Sequence, residues 1–185
     1  MRQIRNSVFE TNSSSTHSIA IPRNCNNKIS VISFHIGEFG WGFSEEDPAD
    51  YFYTAIYQTS NSLSEVNEKL AKLKDILEDN NIEYTFEEVN CEEHNGYLSF
   101  DGYIDHGYEL KDFIDELLNN DGKLIRFLSG GLVFTGNDNS DNSGFIDRNE
   151  EFIDDYDWNS RTCYTVKNPY YMNNHEDYEW YWKGN

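Results

Sequence analysis

Glu10-Thr11-Asn12-Ser13-Ser14-Ser15-Thr16-His17-Ser18 packs hydroxyls, an amide, a carboxylate and an imidazole into one stretch. Such density suggests a site, and two later segments carry groups that complement it. Asp105-His106 follows a strand-like run at 96–104, and Asn137-Asp138-Asn139-Ser140-Asp141 follows another at 132–135. Loops at strand ends are where a rigid scaffold presents functional groups. Brought together, His17 and His106 would serve as general base and general acid, with Asp105 or Asp138 orienting an imidazole. Asn12, Ser14 or Thr16 would then donate to a phosphate oxygen. That is the minimum for metal-free cleavage of RNA, in which the neighbouring 2′-hydroxyl is the nucleophile and the protein supplies proton transfer and charge stabilisation. In this reading His17→Ala removes a proton-transfer group and costs little stability. A metal alternative uses overlapping residues: Glu10, Asp105 and Asp138 with His17 or His106 suit magnesium or manganese. The 138–144 run lacks the spacing and the twelfth-position Glu of a calcium loop. Each segment also has a purely structural reading, as a Ser/Asn turn or cap for the first and as a turn with a hydrogen-bonded imidazole for Asp105-His106.

The elements that must hold these groups can be read from pattern. Ile4 and Val8-Phe9 before the polar run, with Ile19-Ala20-Ile21 after it, predict a tight turn pinned by buried residues on both sides. Residues 28–36 read as a strand. A helix beginning at 44–47, with Pro48 in its first turn, runs to Thr59. Ser62 and Glu65 have capping-box spacing ahead of an apolar face formed by Leu63, Val66, Leu70, Leu73 and Leu77. Runs at 83–89 and 96–104 read as two strands paired in a hairpin across a polar 90–95 segment. A helix over 110–118 is stopped by Asn119-Asn120-Asp121-Gly122, a short helical turn covers 123–128, and 161–166 is a last short strand. The expectation is a single α+β domain over residues 1–185, with three or four helices and a mixed or antiparallel sheet. Its 145–185 part is acidic and rich in aromatics.

Charge limits the partners. With 34 Asp+Glu against 14 Lys+Arg the 185 residues carry a formal charge of −20, which disfavours passive binding to a phosphate backbone and favours a basic partner. Glu87-Glu88, Glu92-Glu93 and Asp154, Asp155 and Asp157 form acidic clusters. They alternate with aromatics including Trp158 and Trp180. Anchoring rings among carboxylates suit a groove lined with Arg and Lys, although each run taken singly also reads as a solvated face. Cys25, Cys91 and Cys163 are dispersed and odd in number, so no disulfide framework or zinc site is indicated and a reducing cytosol is the expected setting. No run reaches the length of a membrane span. Aromatic content of 16% argues against disorder.

The segment Arg5-Asn6-Ser7-Val8-Phe9-Glu10-Thr11-Asn12-Ser13-Ser14-Ser15-Thr16-His17-Ser18 resembles the N-terminal signature of a group of phage and mobile-element proteins of Firmicutes. Tyr103-Ile104-Asp105-His106 and Phe134-Thr135-Gly136-Asn137-Asp138-Asn139 resemble later landmarks of that group. The middle and tail carry no such resemblance. Small acidic proteins of these elements include anti-CRISPR inhibitors of type II effector nucleases, some of which act on the guide RNA. The resemblance therefore implies a cytosolic inhibitor whose partner is an effector nuclease with its guide RNA. Occupation of the effector's basic groove comes first, guide-RNA cleavage by the residues above second, and an accessory protein without chemistry third.

Overall fold

The computed structural model describes residues 15–24, 28–42, 44–94, 97–137, 151–157, 160–167 and 171–183. In chain order these form strands β1 (Ser15–Pro22), β2 (Val31–Phe34), β3 (Glu38–Phe39) and β4 (Ser44–Glu46), then helices α1 (Pro48–Gln58) and α2 (Leu63–Asp79). Strands β5 (Glu83–Phe86), β6 (Cys91–His94), β7 (Tyr97–Phe100) and β8 (Tyr103–Ile104) follow. A 3₁₀ turn at Gly107–Leu110 leads into α3 (Lys111–Leu118) and α4 (Asp121–Gly130). The last strands are β9 (Leu132–Asn137), β10 (Phe152–Asp157), β11 (Thr162–Lys167) and β12 (Tyr178–Lys183). The class is α+β.

The largest sheet has the order β12-β1-β9-β4 and is antiparallel throughout. Ile19 of β1 sits opposite Tyr181 on one side and Val133 on the other. With hydrogen-bonded neighbours on both edges and packed residues on both faces, β1 buries consecutive residues, His17, Ser18, Ile19, Ala20 and Ile21, instead of alternating. The polar opening therefore ends inside a central strand, not in the tight turn its composition predicts: Ser15 to Ser18 are already strand.

Helix α1 starts where the Asp47 side chain accepts the N–H groups of Ala49 and Asp50 (2.8 and 3.2 Å) and Pro48 takes the first position. Residues 44–46, expected to open this helix, are instead the edge strand β4, and Asp47 remains extended (φ −66°, ψ 124°) because a residue before proline avoids the helical region. Tyr51, Phe52, Ala55 and Ile56 are fully enclosed, so α1 is the core helix, packed against Phe34 and Phe127 among others. Ser62 caps α2, its hydroxyl accepting Glu65 N–H at 3.2 Å, while the Glu65 carboxylate reaches back to the Asn61 N–H at 2.9 Å. The buried face of α2 is Val66, Lys69, Leu73, Ile76 and Leu77; Leu63 is exposed and Leu70 half-buried.

Strand pairing departs from the sequence reading. β5 does not turn back on β7. It pairs in parallel with β2 (Ile32 opposite Tyr84, Phe34 opposite Phe86), and α1 and α2 supply the crossover that a parallel pair needs. The hairpin is β6–β7, with Cys91 opposite Phe100 and His94 opposite Tyr97, so the polar 91–94 segment is a strand. Its residues are largely exposed, which removes the apolar signal by which a strand is recognised. β3 and β8 form a short parallel pair. Asn119-Asn120 ends α3 as expected, but the Asn120 side chain then accepts Lys123 N–H at 3.1 Å and starts α4, a full helix where a single turn was expected. Beyond β9, the acidic segment 152–157 is strand β10, paired with β11, and the aromatic tail contains β12.

Candidate functional site

Three of the segments singled out from sequence meet at β1. β9 lies beside it, placing Ser15 opposite Asn137, Thr16 opposite Gly136 and His17 opposite Thr135. The 103–106 segment meets it through His17, whose Nε2 lies 2.8 Å from the backbone carbonyl oxygen of Asp105. A carbonyl only accepts, so Nε2 carries the proton. The other ring nitrogen, Nδ1, lies 3.0 Å from the hydroxyl of Tyr51 on α1. Burial, and then the charge of Glu46, push the Tyr51 phenol well above its ordinary pKa, so it stays protonated beside Nδ1. The imidazole thus bridges β1, α1 and the 105–106 turn through its two ring nitrogens. Its relative exposure is 1%, that of Tyr51 0% and that of Asp105 5%.

The backbone around this junction is tightly specified. Asp105 N–H donates to Phe39 O and Tyr103 N–H to Gly37 O, both at 3.0 Å, while the Tyr103 hydroxyl donates to Asp105 Oδ1 at 3.1 Å. Gly40 has φ +101°, and a Cβ there would lie 2.8 Å from the Asp105 Cβ and 3.5 Å from His17 Cε1. Only glycine supplies both that φ and that closeness. His106 adopts the left-handed region (φ 54°), which turns the chain out of β8. On the far side of β9, Thr135 Oγ1 donates to Glu46 Oε1 at 2.8 Å.

A cleft of about 320 Å³ opens beside His17 and is lined by it together with Ile19, Leu110, Phe113 and Tyr181. Chemically, then, the junction is a fastener with an adjoining cleft. Both nitrogens of the imidazole are engaged in the interior, one by a carbonyl and one by a phenol. The structural reading of a hydrogen-bonded histidine, made from sequence for Asp105-His106, describes the contacts of His17, and His17→Ala would strand a buried hydroxyl and a buried carbonyl.

Of the remaining candidates, Glu10, Asn12, Ser14, Asp138 and Trp158 lie outside the described residues. Thr16 is placed by its backbone in β1, and Asp154, Asp155 and Asp157 by theirs in β10, opposite Thr165, Tyr164 and Thr162. Among the proposed partner-binding residues, Glu87 accepts Ile36 N–H at 2.8 Å and Glu93 accepts Leu63 N–H at 2.9 Å, so both carboxylates also fix local backbone. Glu92 lies 3.7 Å from His94, Glu88 is exposed, and Trp180 Nε1 donates to His175 O at 3.0 Å from a half-buried ring. Among the described residues no three His, Cys, Asp or Glu side chains gather to hold a metal ion, and no helix is long and apolar enough to cross a membrane.

Tyr51, Tyr103 and Gly40 were not legible as part of this junction. Tyr51-Phe52-Tyr53 reads as core, and nothing local announces that one phenol reaches a residue 34 positions away. Comparison of the chain with protein-family models, with curated proteins and with solved structures gives no match.

Proposed function

We propose that this protein acts by binding, as an acidic inhibitor that occupies a basic nucleic-acid groove, and, following the resemblance of its opening segment, that the groove belongs to a type II CRISPR effector or its complex with guide RNA. The observation that carries this reading is the enclosure of His17: the imidazole that meets Asp105 has no ring nitrogen turned to solvent. In this reading surface charge carries the binding. At −20 the molecule is drawn to basic surfaces over the range of the Debye length, about 8 Å at physiological salt, and repelled by free nucleic acid.

Guide-RNA cleavage is the second reading. It draws on the convergence of β1, β9 and the 105–106 turn, where His106 is half-buried, not enclosed. One assay separates the two readings. Effector, guide RNA and target DNA are incubated with the protein, and guide length and DNA cleavage are followed together. Blocked DNA cleavage with intact guide is the expected result. A shortened guide would replace occlusion by catalysis, and unaffected cleavage would leave an accessory protein without this role.

A further inference from the structure

A second, smaller pocket lies where the end of α1, strand β7 and the 3₁₀ turn come together; Tyr57, Gln58, Tyr97 and Tyr108 are among the residues that line it. None of its lining residues is charged, in a chain where Asp, Glu, Lys and Arg make up 26%. The pocket therefore suits a neutral group, unlike the acidic surface around it. Two of its rings stand well out in water, Tyr97 at 55% exposure and Tyr108 at 68%, while Tyr57 packs on Phe100 with ring centroids 5.4 Å apart. Exposed tyrosines around a recess are common anchors of a protein contact.

Gln58 makes this recess more than a gap between rings. The residue is 8% exposed and lines the pocket, and among the described residues nothing hydrogen-bonds its side-chain amide. Its polar neighbours are committed: the Ser60 hydroxyl donates to Ile56 O at 2.7 Å, and the Asn61 side-chain amide to Glu65 Oε2 at 3.3 Å. Gly107 leaves room for the Gln58 stem, since a Cβ there would lie 2.8 Å from Gln58 Cγ. An amide held this deep without a partner costs stability, and a ligand that brings both a donor and an acceptor would recover it. A carboxylate offers acceptors alone, a guanidinium or ammonium donors alone, and a trans peptide carries its N–H and C=O on opposite edges. A primary carboxamide carries both on one edge and so closes a cyclic pair with Gln58. Size agrees: the pocket measures about 30 Å³ where one water needs roughly 10–15 Å³, which is room for the tip of a side chain and not for a nucleobase.

We propose that this pocket receives the side-chain carboxamide of an asparagine or glutamine on a protein partner, paired edge to edge with Gln58 and flanked by Tyr97 and Tyr108. The contact is an uncharged anchor, and it does not depend on whose basic groove the acidic surface fills. The test is an NMR titration with N-acetyl-glutamine-N-methylamide, its glutamate and methionine counterparts, and adenosine. Saturable shifts confined to the Gln58 side-chain NH2, Tyr97 and Tyr108 are expected with the glutamine compound. Its counterparts should bind more weakly by about tenfold or more, as expected for the loss of one or two hydrogen bonds. Gln58→Met keeps an unbranched stem and removes both polar atoms; it should abolish the shifts while the melting temperature holds or rises, because no hydrogen bond within the chain is lost. Tyr108→Ala, at an exposed position, should weaken binding in a protein whose circular dichroism is unchanged. Glutamate or methionine compounds binding as well as glutamine, adenosine binding in their place, or no saturable shift would each overturn the assignment. So would undiminished binding in Gln58→Met, or a fall in its melting temperature, which would give the amide to the fold. Glutamine shifts should be indifferent to added salt, whereas charge-driven capture of a basic partner is not, so this assignment and the inhibitor reading can each fail alone.

Discussion

His17 is held from both ends of its ring. Removing it leaves the Tyr51 hydroxyl and the Asp105 carbonyl buried without the partner each now has, at about 1–3 kcal/mol apiece. His17→Ala is thus expected to lower the unfolding free energy by about 2–4 kcal/mol in urea denaturation. Tyr51→Phe, which keeps the ring and removes one donor, should lose about half of that. A His17→Ala protein as stable as wild type would show that the junction contributes nothing to the fold. Gly40→Ala forces a side chain into a positive φ and against Asp105, and should cost at least 1 kcal/mol or so. At this scale the sequence marked His17 through the density of polar groups in the 10–18 run and Asp105 through its place at the end of a strand-like run. It could not mark their relation: the bond joins residues 88 positions apart and uses a backbone carbonyl that every residue possesses.

Helices were the most legible elements, since capping and 3.6-residue periodicity are local: Ser62, Pro48 and Asn119 mark real boundaries. Pairing partners were the least legible, because register depends on chain far away in sequence; β5 and β7 looked like a hairpin only because they are neighbours in the chain. One buried charge shows what elements gain from meeting. Lys69 of α2 is 7% exposed yet placed on the apolar face, where it bonds Thr59 Oγ1 at 3.2 Å and Glu65 at 3.2 Å, and Glu65 in turn binds Lys111 of α3 at 2.7 Å. Burial alone would raise the Glu65 carboxyl, but hydrogen bonds from Lys111, the Asn61 N–H and Lys69 outweigh it and hold the group at about 2. In the unfolded chain a glutamate titrates near 4.3, or about two units higher. The folded form thus binds this proton less readily, and the stabilisation is complete above that value and lost as pH falls toward 2. Thermal melts between pH 5 and 2 should show a decline that Glu65→Gln flattens; an unaltered slope in the variant would assign the acid sensitivity to other carboxylates.

For the molecule as a whole, charge is the property that sequence fixes without any structure, and its consequence is testable the same way. Added salt should weaken association with a basic partner, and lysine replacements at Asp154, Asp155 and Asp157 should slow association by about tenfold or more while melting temperature holds. Binding indifferent to salt would count against electrostatic recognition. The fold class was legible at this scale because helical and strand patterns interleave, but the central position of β1 was not, since its neighbours β9 and β12 lie more than a hundred positions further along the chain. That position also orders events in time. β1 leaves the ribosome before its partners and must wait for β9, then for β12, whose Tyr181 pairs with Ile19 across 162 positions. During synthesis α1, α2 and the β2–β5 pair can assemble early, while Ile19, Ala20 and Ile21 lack their second neighbouring strand until β12 emerges. Nascent chains arrested before residue 178 should accordingly expose β1 to proteases and chaperones, and release of β12 should close the sheet in one late step.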